Sequence, residues 1–499
     1  MTAVEDHGTH WPDASDVPGL LHQAYEHAVR WRASLQDRPV FPAATPDGIR
    51  AALGHGDGMP ATGEDAASTL EALARAGELG ATASAGPRYF GYVIGSSLPV
   101  ATAADWLVTA WDQNSTLYSC SPAAGVVEDV CAAWVVDLLG LPRGTSVGFT
   151  TGTQMAAFTG LAAARHHLMA AAGRDVQADG LWGAPRIPVI ASAERHASID
   201  RALRYLGMGS RVDGVACDAN GAMELSALDA ALARAERPPI VCVQAGSINT
   251  GAVDPLRAVC ERVHARGGWV HVDGAIGLWA LAADDEHRRL LDGARLADSL
   301  TTDAHKWLNV PFDCGIALVA HPEAHRAALA VTADYLEISG HREQIDTVPE
   351  WSRRARSVPV YAALRSLGRT GVARLVGGSV DRARQMASLL ASEPGVEIVN
   401  DVVLNQVLVR FTGPVRDDAE DRAEAGGPTE LDGVTEADGL TEEVVRRVQQ
   451  DGTCWLSGSV FAGRAVMRIS VCSWQTTADD IARSAAAIVR CYRDAVHDH

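Results

Sequence analysis

The sequence predicts an α/β fold with a mainly parallel sheet, because short apolar runs alternate with helical patterns between about residue 83 and residue 336. Runs of this length, rich in Val and Ile, are typical of buried strands. The predicted strands are residues 188–191, 239–243, 269–272 and 315–319, and helical patterns cover residues 154–172 and 225–235. A chain of 499 residues is long enough for two or three domains and a large core.

Three regions follow one another along the chain. Residues 1–82 are polar and predict an N-terminal arm with one amphipathic helix over about residues 20–34. Residues 83–350 predict a large domain, and residues 351–499 predict a smaller α+β domain. The smaller domain has strand patterns at residues 402–411 and 465–471 and helical patterns at residues 360–366, 441–450 and 478–496. Residues 413–440 interrupt it with Asp, Glu, Gly and Pro, which predicts an acidic mobile surface loop.

The composition is that of a soluble globular protein, with 47% hydrophobic and 21% charged residues. The formal net charge is −19 and no basic patch with interleaved aromatic residues is present. Nucleic acids and anionic membranes are therefore not expected as partners. The sequence contains no recognisable secretory signal and no apolar stretch that would span a bilayer. Nine cysteines without a CxxC pair indicate reduced thiols and a cytoplasmic location.

Lys306 is the only lysine of the chain, although lysine and arginine together total 43 residues. It follows a strand-like run at residues 297–302. Where arginine serves almost every need for a positive charge, a retained lysine indicates a position that arginine cannot fill. Chemistry that excludes arginine needs a primary amine that can lose its proton, either as a Schiff-base former or as a general base. The alternative is a surviving surface lysine.

A turn rich in Gly and Thr, at Thr151, Gly152 and Thr153, precedes a strong helical pattern. Such a turn offers free backbone N–H groups and the positive end of the helix dipole, which favour a phosphate. The turn matches neither a Walker A loop nor a GxGxxG fingerprint. A plain N-cap by Thr150 or Thr151 is the alternative.

Two further polar residues follow predicted strands. Asp273 ends the strand at residues 269–272, where ligands of parallel sheets bind and where a carboxylate can pair with a cationic ring nitrogen; a helix cap is the alternative. His196 follows the strand at residues 188–191, and its imidazole can stack on a planar ring or make an ordinary polar contact. His271 and Asp273 share one face of a strand as metal ligands would, but no third ligand accompanies them.

A phosphate turn, a carboxylate for a ring nitrogen, a stacking imidazole and a Schiff-base lysine together specify pyridoxal 5'-phosphate as the cofactor. From about residue 87 to residue 488 the chain resembles the group II pyridoxal-phosphate-dependent decarboxylases, the family of aromatic-amino-acid, tyrosine and glutamate decarboxylases. The motifs that carry the resemblance are His305-Lys306-Trp307 with Asp303 upstream, and residues 87–90, 121–124, 196–198 and 271–275. The resemblance implies a fold-type I PLP-dependent transferase with a seven-stranded sheet, a homodimer and an amino-acid substrate.

The resemblance also implies roles for single residues. Lys306 would form the internal aldimine, and Asp273 would keep the pyridine nitrogen protonated. His196 and Ala275 would pack on the two faces of the ring.

Other roles concern the phosphate and the substrate. The phosphate would be held by Thr151, Gly152, Thr153 and His305. Ser247 would lie near the cofactor, where the family has a threonine. Arg468 would meet the substrate carboxylate, with a structural salt bridge as the alternative.

The sequence departs from the family pattern at two places. The family's phosphate turn has two glycines, then Ser or Thr, then Glu, whereas Gly152 is followed here by Thr153 and Gln154. Family decarboxylases protonate the substrate carbon with a tyrosine on a mobile loop, but residues 340–351 contain no tyrosine. Within the family, loss of this tyrosine is associated with a reaction with oxygen that yields an aldehyde, ammonia and peroxide. His341 is the candidate replacement as proton donor.

The expected reaction is therefore decarboxylation of an L-α-amino acid through an external aldimine and a quinonoid. Two altered outcomes stay open, namely decarboxylation-dependent oxidative deamination and another lyase reaction such as β-elimination, in bacterial secondary metabolism. A cofactor-binding protein without turnover is the non-enzymatic alternative. The sequence does not specify the substrate side chain.

Overall fold

The computed structural model describes residues 13–54, 58–60, 62–331, 340–413 and 430–498, and for residues 430–435 the backbone alone. The α-helices in chain order are α1 Val17–Ser34, α2 Pro46–Leu53, α3 Ala66–Gly80, α4 Pro99–Trp111, α5 Pro122–Leu138, α6 Thr153–Ala171, α7 Val176–Asp179, α8 Ala197–Tyr205, α9 Leu225–Arg234, α10 Leu256–His264, α11 Asp285–Leu290, α12 Pro322–Leu329, α13 Ser357–Ala391, α14 Glu430–Asp451 and α15 Ala478–Asp498. The strands are β1 Ser146–Thr150, β2 Val189–Ser192, β3 Asp213–Val215, β4 Ile240–Gln244, β5 Trp269–Asp273, β6 Ser299–Asp303, β7 Gly315–Val319, β8 Val396–Ile398, β9 Gln406–Phe411, β10 Ser457–Phe461 and β11 Arg464–Ser470.

The larger sheet has seven strands in the order β1-β7-β6-β5-β4-β2-β3. The five strands in the order β6-β5-β4-β2-β3 are parallel to one another. Strand β7 is antiparallel to both of its neighbours, β1 and β6. The predicted α/β fold with a mainly parallel seven-stranded sheet is confirmed. The four strands predicted from apolar runs, β2, β4, β5 and β7, lie within one residue of their expected positions.

Helices cover both faces of this sheet, which explains the continuous apolar runs of its strands. On one face, Val241 and Val270 belong to a core that also contains residues of α5, α10 and α13. On the other face, Cys242 and Trp269 pack with residues of α6 and α8. Because β2, β4, β5 and β6 are parallel, their carboxyl ends meet at one edge of the sheet, where ligands of such sheets bind.

A second, four-stranded antiparallel sheet has the order β10-β11-β9-β8 and packs against α14 and α15. Helix α13 contacts both cores: Val372 and Val376 lie in the core of the larger sheet, and Met386 and Leu390 in that of the smaller one. The division of the chain into domains after residue 350 stays a prediction.

The N-terminal region contains more helix than its polar composition predicted. The expected helix is α1, but α2 and α3 follow it before residue 82. Both begin with a side-chain cap: Thr45 Oγ1 accepts a hydrogen bond from the N–H of Gly48 at 3.2 Å, and Asp65 accepts one from Ser68 at 2.9 Å. These two N-cap residues are sequence features that predict helix starts, whereas the polar composition of the region does not.

The predicted acidic loop over residues 413–440 is wrong in its last part. The backbone is helical from Glu430 onward, as the first half of α14. The helix is held there by Asp438, which pairs with Arg410 of β9, and by Ala437, which is buried. Residues 414–429 lie outside the described residues.

Within the part of the chain that the structure describes, no helix is both long and apolar enough to cross a membrane.

Candidate active site

A cleft of about 390 Å³ lies at the carboxyl edge of the larger sheet, between the amino ends of α6 and α8. Seven of the ten predicted site residues line it: Gly152, Thr153, His196, Asp273, Ala275, His305 and Lys306. A larger hollow, of about 610 Å³, lies at the amino ends of β2 and β3, and none of the predicted site residues lines it. The cleft is therefore where the sequence-predicted chemistry converges.

Lys306 lies in a tight turn directly after β6. The turn is fixed by Trp307, which is fully buried, and by Asn309, which adopts a left-handed conformation with φ 57°. The side-chain amide of Asn309 donates hydrogen bonds to the carbonyl oxygens of Trp307, at 3.0 Å, and of Cys472, at 2.9 Å. Gly95 crosses the turn so closely that a Cβ there would lie 1.8 Å from the carbonyl oxygen of Lys306. The backbone under the lysine is therefore held from both sides.

The Lys306 side chain points to Asp303, the last residue of β6. Its Nζ lies 2.9 Å from Asp303 Oδ2, and the carboxylate is 1% exposed. Asp303 also accepts hydrogen bonds from the Thr153 N–H, at 2.7 Å, and from the Thr153 hydroxyl. Burial alone would raise the pKa of Asp303, but Lys306, His305 and the Thr153 hydrogen bonds outweigh it and lower that pKa. Asp303 thus links the lysine to the start of α6.

Asp273 ends β5 and is 8% exposed. Its Oδ1 accepts a hydrogen bond from the backbone N–H of Ala275 at 3.1 Å. Burial raises the pKa of Asp273, while the positive charge of Lys306 and the His196 imidazole act against this rise. A carboxylate with this environment favours a cationic partner in the cleft.

His196 caps the amino end of α8 at the mouth of the cleft. Its Nδ1 accepts a hydrogen bond from the N–H of Ser198 at 3.2 Å, so the hydrogen of the neutral ring is on Nε2. The ring is exposed on the cleft side, but desolvation by the surrounding protein lowers the pKa of His196. A neutral imidazole is the form that stacks on a flat ring without adding charge.

His305 lies beside Lys306 and faces the amino end of α6. Its Nδ1 accepts a hydrogen bond from the N–H of Cys314 at 3.1 Å, and its Nε2 is 3.6 Å from Asp303 Oδ1. Burial lowers the pKa of His305. The imidazole therefore presents an Nε2 hydrogen to an acceptor in the cleft.

Three predicted site residues do not line the cleft. The N–H of Thr151 donates to Glu350 Oε1 at 3.1 Å, which is a contact between residues far apart in sequence. Ser247 is buried, and its hydroxyl has no hydrogen-bond partner among the described residues. Arg468 of β11 is also buried, and its closest polar contact is Ser457 Oγ, at 3.5 Å from Nη2.

Several polar groups of the cleft were not predicted from the sequence. The side-chain nitrogens of Gln154 and Gln244 are buried without a hydrogen-bond partner among the described residues, and both residues line the cleft. Gln154 occupies the position at which the family has a Glu, and this departure from the family pattern could have identified Gln154 as a site residue. Asp303 was part of the motif around Lys306, but its contact with Thr153 could not be predicted, because the two residues are 150 positions apart in the sequence. Two unpaired buried donors at one cleft favour a ligand with hydrogen-bond acceptors.

The segment at residues 340–351 packs away from this cleft. The His341 ring stacks on Tyr118 with ring centroids 4.1 Å apart, and Glu343 accepts a hydrogen bond from the N–H of Tyr118 at 2.8 Å. None of the segment's residues lines the cleft of the same chain. Tyr335, which precedes the segment, lies outside the described residues.

His271, which was considered as a metal ligand, packs in the protein interior instead. His271 is fully buried against Gly160 of α6, and its Nδ1 lies 2.8 Å from Ser299 Oγ. Burial lowers its pKa to about 3. In the described ranges, no group of three or more His, Cys, Asp or Glu side chains is placed to hold a metal ion.

Comparison with known proteins shows the family of this chain. The model described as the pyridoxal-dependent decarboxylase conserved domain matches residues 55–412. The chain belongs to this family. The family prediction is thereby confirmed, as are the predicted lyase class and the pyridoxal phosphate cofactor. The unpaired donors of Gln154 and Gln244, together with Lys306, line the cleft and fit such a cofactor, which carries a phosphate and an aldehyde.

Relatives within the family differ in the reactions that their names describe. The L-2,4-diaminobutyrate decarboxylase of Rhizobium meliloti (strain 1021) is 29% identical over 74% of this chain and 75% of that protein. The phenylacetaldehyde synthase of Arabidopsis thaliana is 24% identical over 92% of each. The crystal structure of Oryza sativa TDC with PLP and tryptamine shares the fold, with a TM-score of 0.86 and 24% identity over 97% of this chain and 99% of that one.

Proposed function

We propose that this chain decarboxylates an L-α-amino acid to the corresponding amine, with pyridoxal phosphate bound at Lys306. The observation that carries the proposal is the meeting of Lys306, Asp273 and His196 at one cleft from three separate strand ends. Pyridoxal phosphate supplies an electron sink for the electrons that the broken Cα bond leaves behind.

The residues of the cleft divide the work of holding the cofactor. Asp273 pairs with the ring nitrogen, because its buried carboxylate favours a cationic partner. His196 stacks on one face of the ring and Ala275 packs on the other. The phosphate is held at the start of α6 by Gly152, Thr153 and His305.

Arg468 is proposed to bind the substrate carboxylate. Its guanidinium is buried and forms no ion pair with any residue that the structure describes, and its Nε has no hydrogen-bond partner there. Burial lowers the pKa of Arg468, which indicates an environment unfavourable to an unpaired charge. A buried guanidinium is stabilised by an anion, and its positive charge also acts on His196, so it is near the cleft.

Oxidative deamination to an aldehyde is the second candidate. Two observations favour it: residues 340–351 contain no tyrosine, and a relative that covers nearly the whole chain is named an aldehyde synthase. In the amine-forming reaction another group must protonate the substrate carbon, and His341 is the candidate in that segment. In the oxidative reaction, molecular oxygen would accept the two electrons left at the substrate carbon and become peroxide, and water would then release the aldehyde and ammonia.

One experiment separates the two candidates. The purified protein is incubated with a panel of amino acids, with and without oxygen, and carbon dioxide, amine, aldehyde and peroxide are measured together. Amine formed equally well without oxygen supports decarboxylation and contradicts the oxidative reaction. Peroxide formed in step with aldehyde contradicts simple decarboxylation.

We also propose that the chain works as a homodimer in the cytoplasm. The surface of α1 supports the dimer, because Val17, Leu21 and Tyr25 recur every four residues and are each at least half exposed. Tyr25 makes an edge contact with Trp106 of α4, which is 43% exposed and extends the apolar surface. Exposed stripes of this kind mark protein interfaces. The oligomeric state of a Leu21→Glu variant, measured by light scattering, tests this: the dimer should weaken, and an unchanged dimer would exclude α1 from the interface.

A further inference from the structure

The two donors of Thr153, at the start of α6, already donate to a carboxylate of the protein. Asp303 accepts hydrogen bonds from the Thr153 N–H, at 2.7 Å, and from the Thr153 hydroxyl, and it lies 2.9 Å from Lys306 Nζ. The carboxylate is almost completely buried, so solvent does not screen it. Its charge therefore occupies the end of a helix at which an anion is most stable.

A second anion at this place competes with Asp303. The Thr153 N–H cannot donate a full hydrogen bond to the carboxylate and to a phosphate at once, and two anions in a buried site repel each other. A nearby donor not in contact with the carboxylate is the side-chain amide of Gln154, which is neutral. A phosphate at the start of α6 must therefore move the Asp303 carboxylate, or bind together with a proton that neutralises it.

We propose that Asp303 is a built-in competitor for the phosphate of the cofactor, which weakens cofactor binding and couples it to the uptake of a proton. The inference rests on the phosphate position given in the proposed function. It extends that function by naming a residue that acts against cofactor affinity while holding Lys306 in place.

Other titratable groups face Asp303 and are part of the coupling. They are Lys306 and His305 from the same turn, His196 from the start of α8, Asp273 from β5 and Cys314 from the start of β7. A change of pH alters several of these groups in the wild-type protein. The contribution of Asp303 is therefore read as the difference between the wild type and a variant that lacks this carboxylate alone.

Asp303→Asn is that variant, because the amide has the same shape and its oxygen can still accept from the Thr153 N–H. The dissociation constant of pyridoxal phosphate is measured by equilibrium dialysis of the purified holoprotein at several pH values. We expect the variant to bind about tenfold more tightly at neutral pH, as when one like-charge contact is removed. We also expect its affinity to depend less steeply on pH than that of the wild type.

Asp298→Asn is the matched control, since Asp298 is another buried carboxylate and directly precedes the opposite end of β6. It should leave the cofactor affinity unchanged. Asp303→Ser is a second neutral variant, which gives the same readout if the asparagine protein does not fold. Equal or weaker cofactor binding by a folded neutral variant, or an unchanged dependence on pH, would overturn the proposal. A wild-type protein that binds no cofactor would instead contradict the proposed function.

Discussion

Replacing Arg353 with leucine should destabilise the protein by about 3 kcal/mol, because the change leaves a buried carboxylate without its main partner. Arg353 Nη2 lies 2.9 Å from both side-chain oxygens of Glu128, and both residues are almost completely buried. Removing one partner of such a pair costs about 3–5 kcal/mol. The lower end applies here, since Arg342 Nη1 remains 3.5 Å from Glu128 Oε1.

The Arg353→Leu change should also affect the active site. Arg353 donates a hydrogen bond to the carbonyl oxygen of Phe149, at 3.2 Å, two residues before Thr151. Weaker support of this strand end should lower the fraction of the protein that retains its cofactor during purification.

Denaturant unfolding, followed by circular dichroism, measures the change in stability. The double variant Glu128→Leu/Arg353→Leu is the control, because it removes both charges and should recover all but about 1 kcal/mol of the loss. Arg369→Leu, which breaks an exposed pair with Asp137, should cost no more than about 0.5 kcal/mol. An Arg353→Leu protein as stable as the wild type, or a double variant no better than the single one, would refute the reasoning.

Three further predictions concern the lysine turn, a buried histidine and the substrate carboxylate. Gly95→Ala should reduce the cofactor content and the melting temperature, since its Cβ would lie 1.8 Å from the Lys306 carbonyl oxygen; Gly377→Ala, in open space on α13, is the control and should change neither. The folded-state pKa of His271 is about 3, below its ordinary 6.5, so its contribution to stability is complete above about pH 6.5 and is lost as pH falls toward 3. His271→Asn should therefore reduce the slope of unfolding free energy against pH by up to about 1.4 kcal/mol per pH unit in that window, and an unchanged slope would contradict the assignment. Arg468→Gln should lower kcat/KM about 100-fold with the cofactor absorption unchanged, whereas equal kinetics would exclude a contact with the substrate carboxylate.

The sequence predicted those parts of the fold that depend on local patterns. Strands β4 and β5 were found because both of their faces are buried, which makes the whole run apolar. Lys306, Asp273 and His196 could be assigned to one site because each follows a strand, and the ends of parallel strands share an edge. The short edge strand β3, with three residues, gave no such signal.

The rest depended on contacts between residues far apart in the chain. The Thr153 N–H meets Asp303, 150 residues later, and the Thr151 N–H meets Glu350, 199 residues later. Neither contact follows from a motif or a spacing, so the sequence assigned both N–H groups to a phosphate. The helix at Glu430 was missed for a related reason, because the pairing of Asp438 with Arg410 of β9 joins residues far apart in the chain.

The central claim is that Lys306 carries the cofactor, and the composition of the chain makes it directly testable. The holoprotein is treated with borohydride, which fixes a cofactor bound to an amine, and its peptides are analysed by mass spectrometry. Since Lys306 is the only lysine, we predict a single pyridoxyl group on the peptide that contains it, and no label in Lys306→Arg. A label on the N-terminal amine alone, or visible cofactor absorption retained in Lys306→Arg, would contradict the claim.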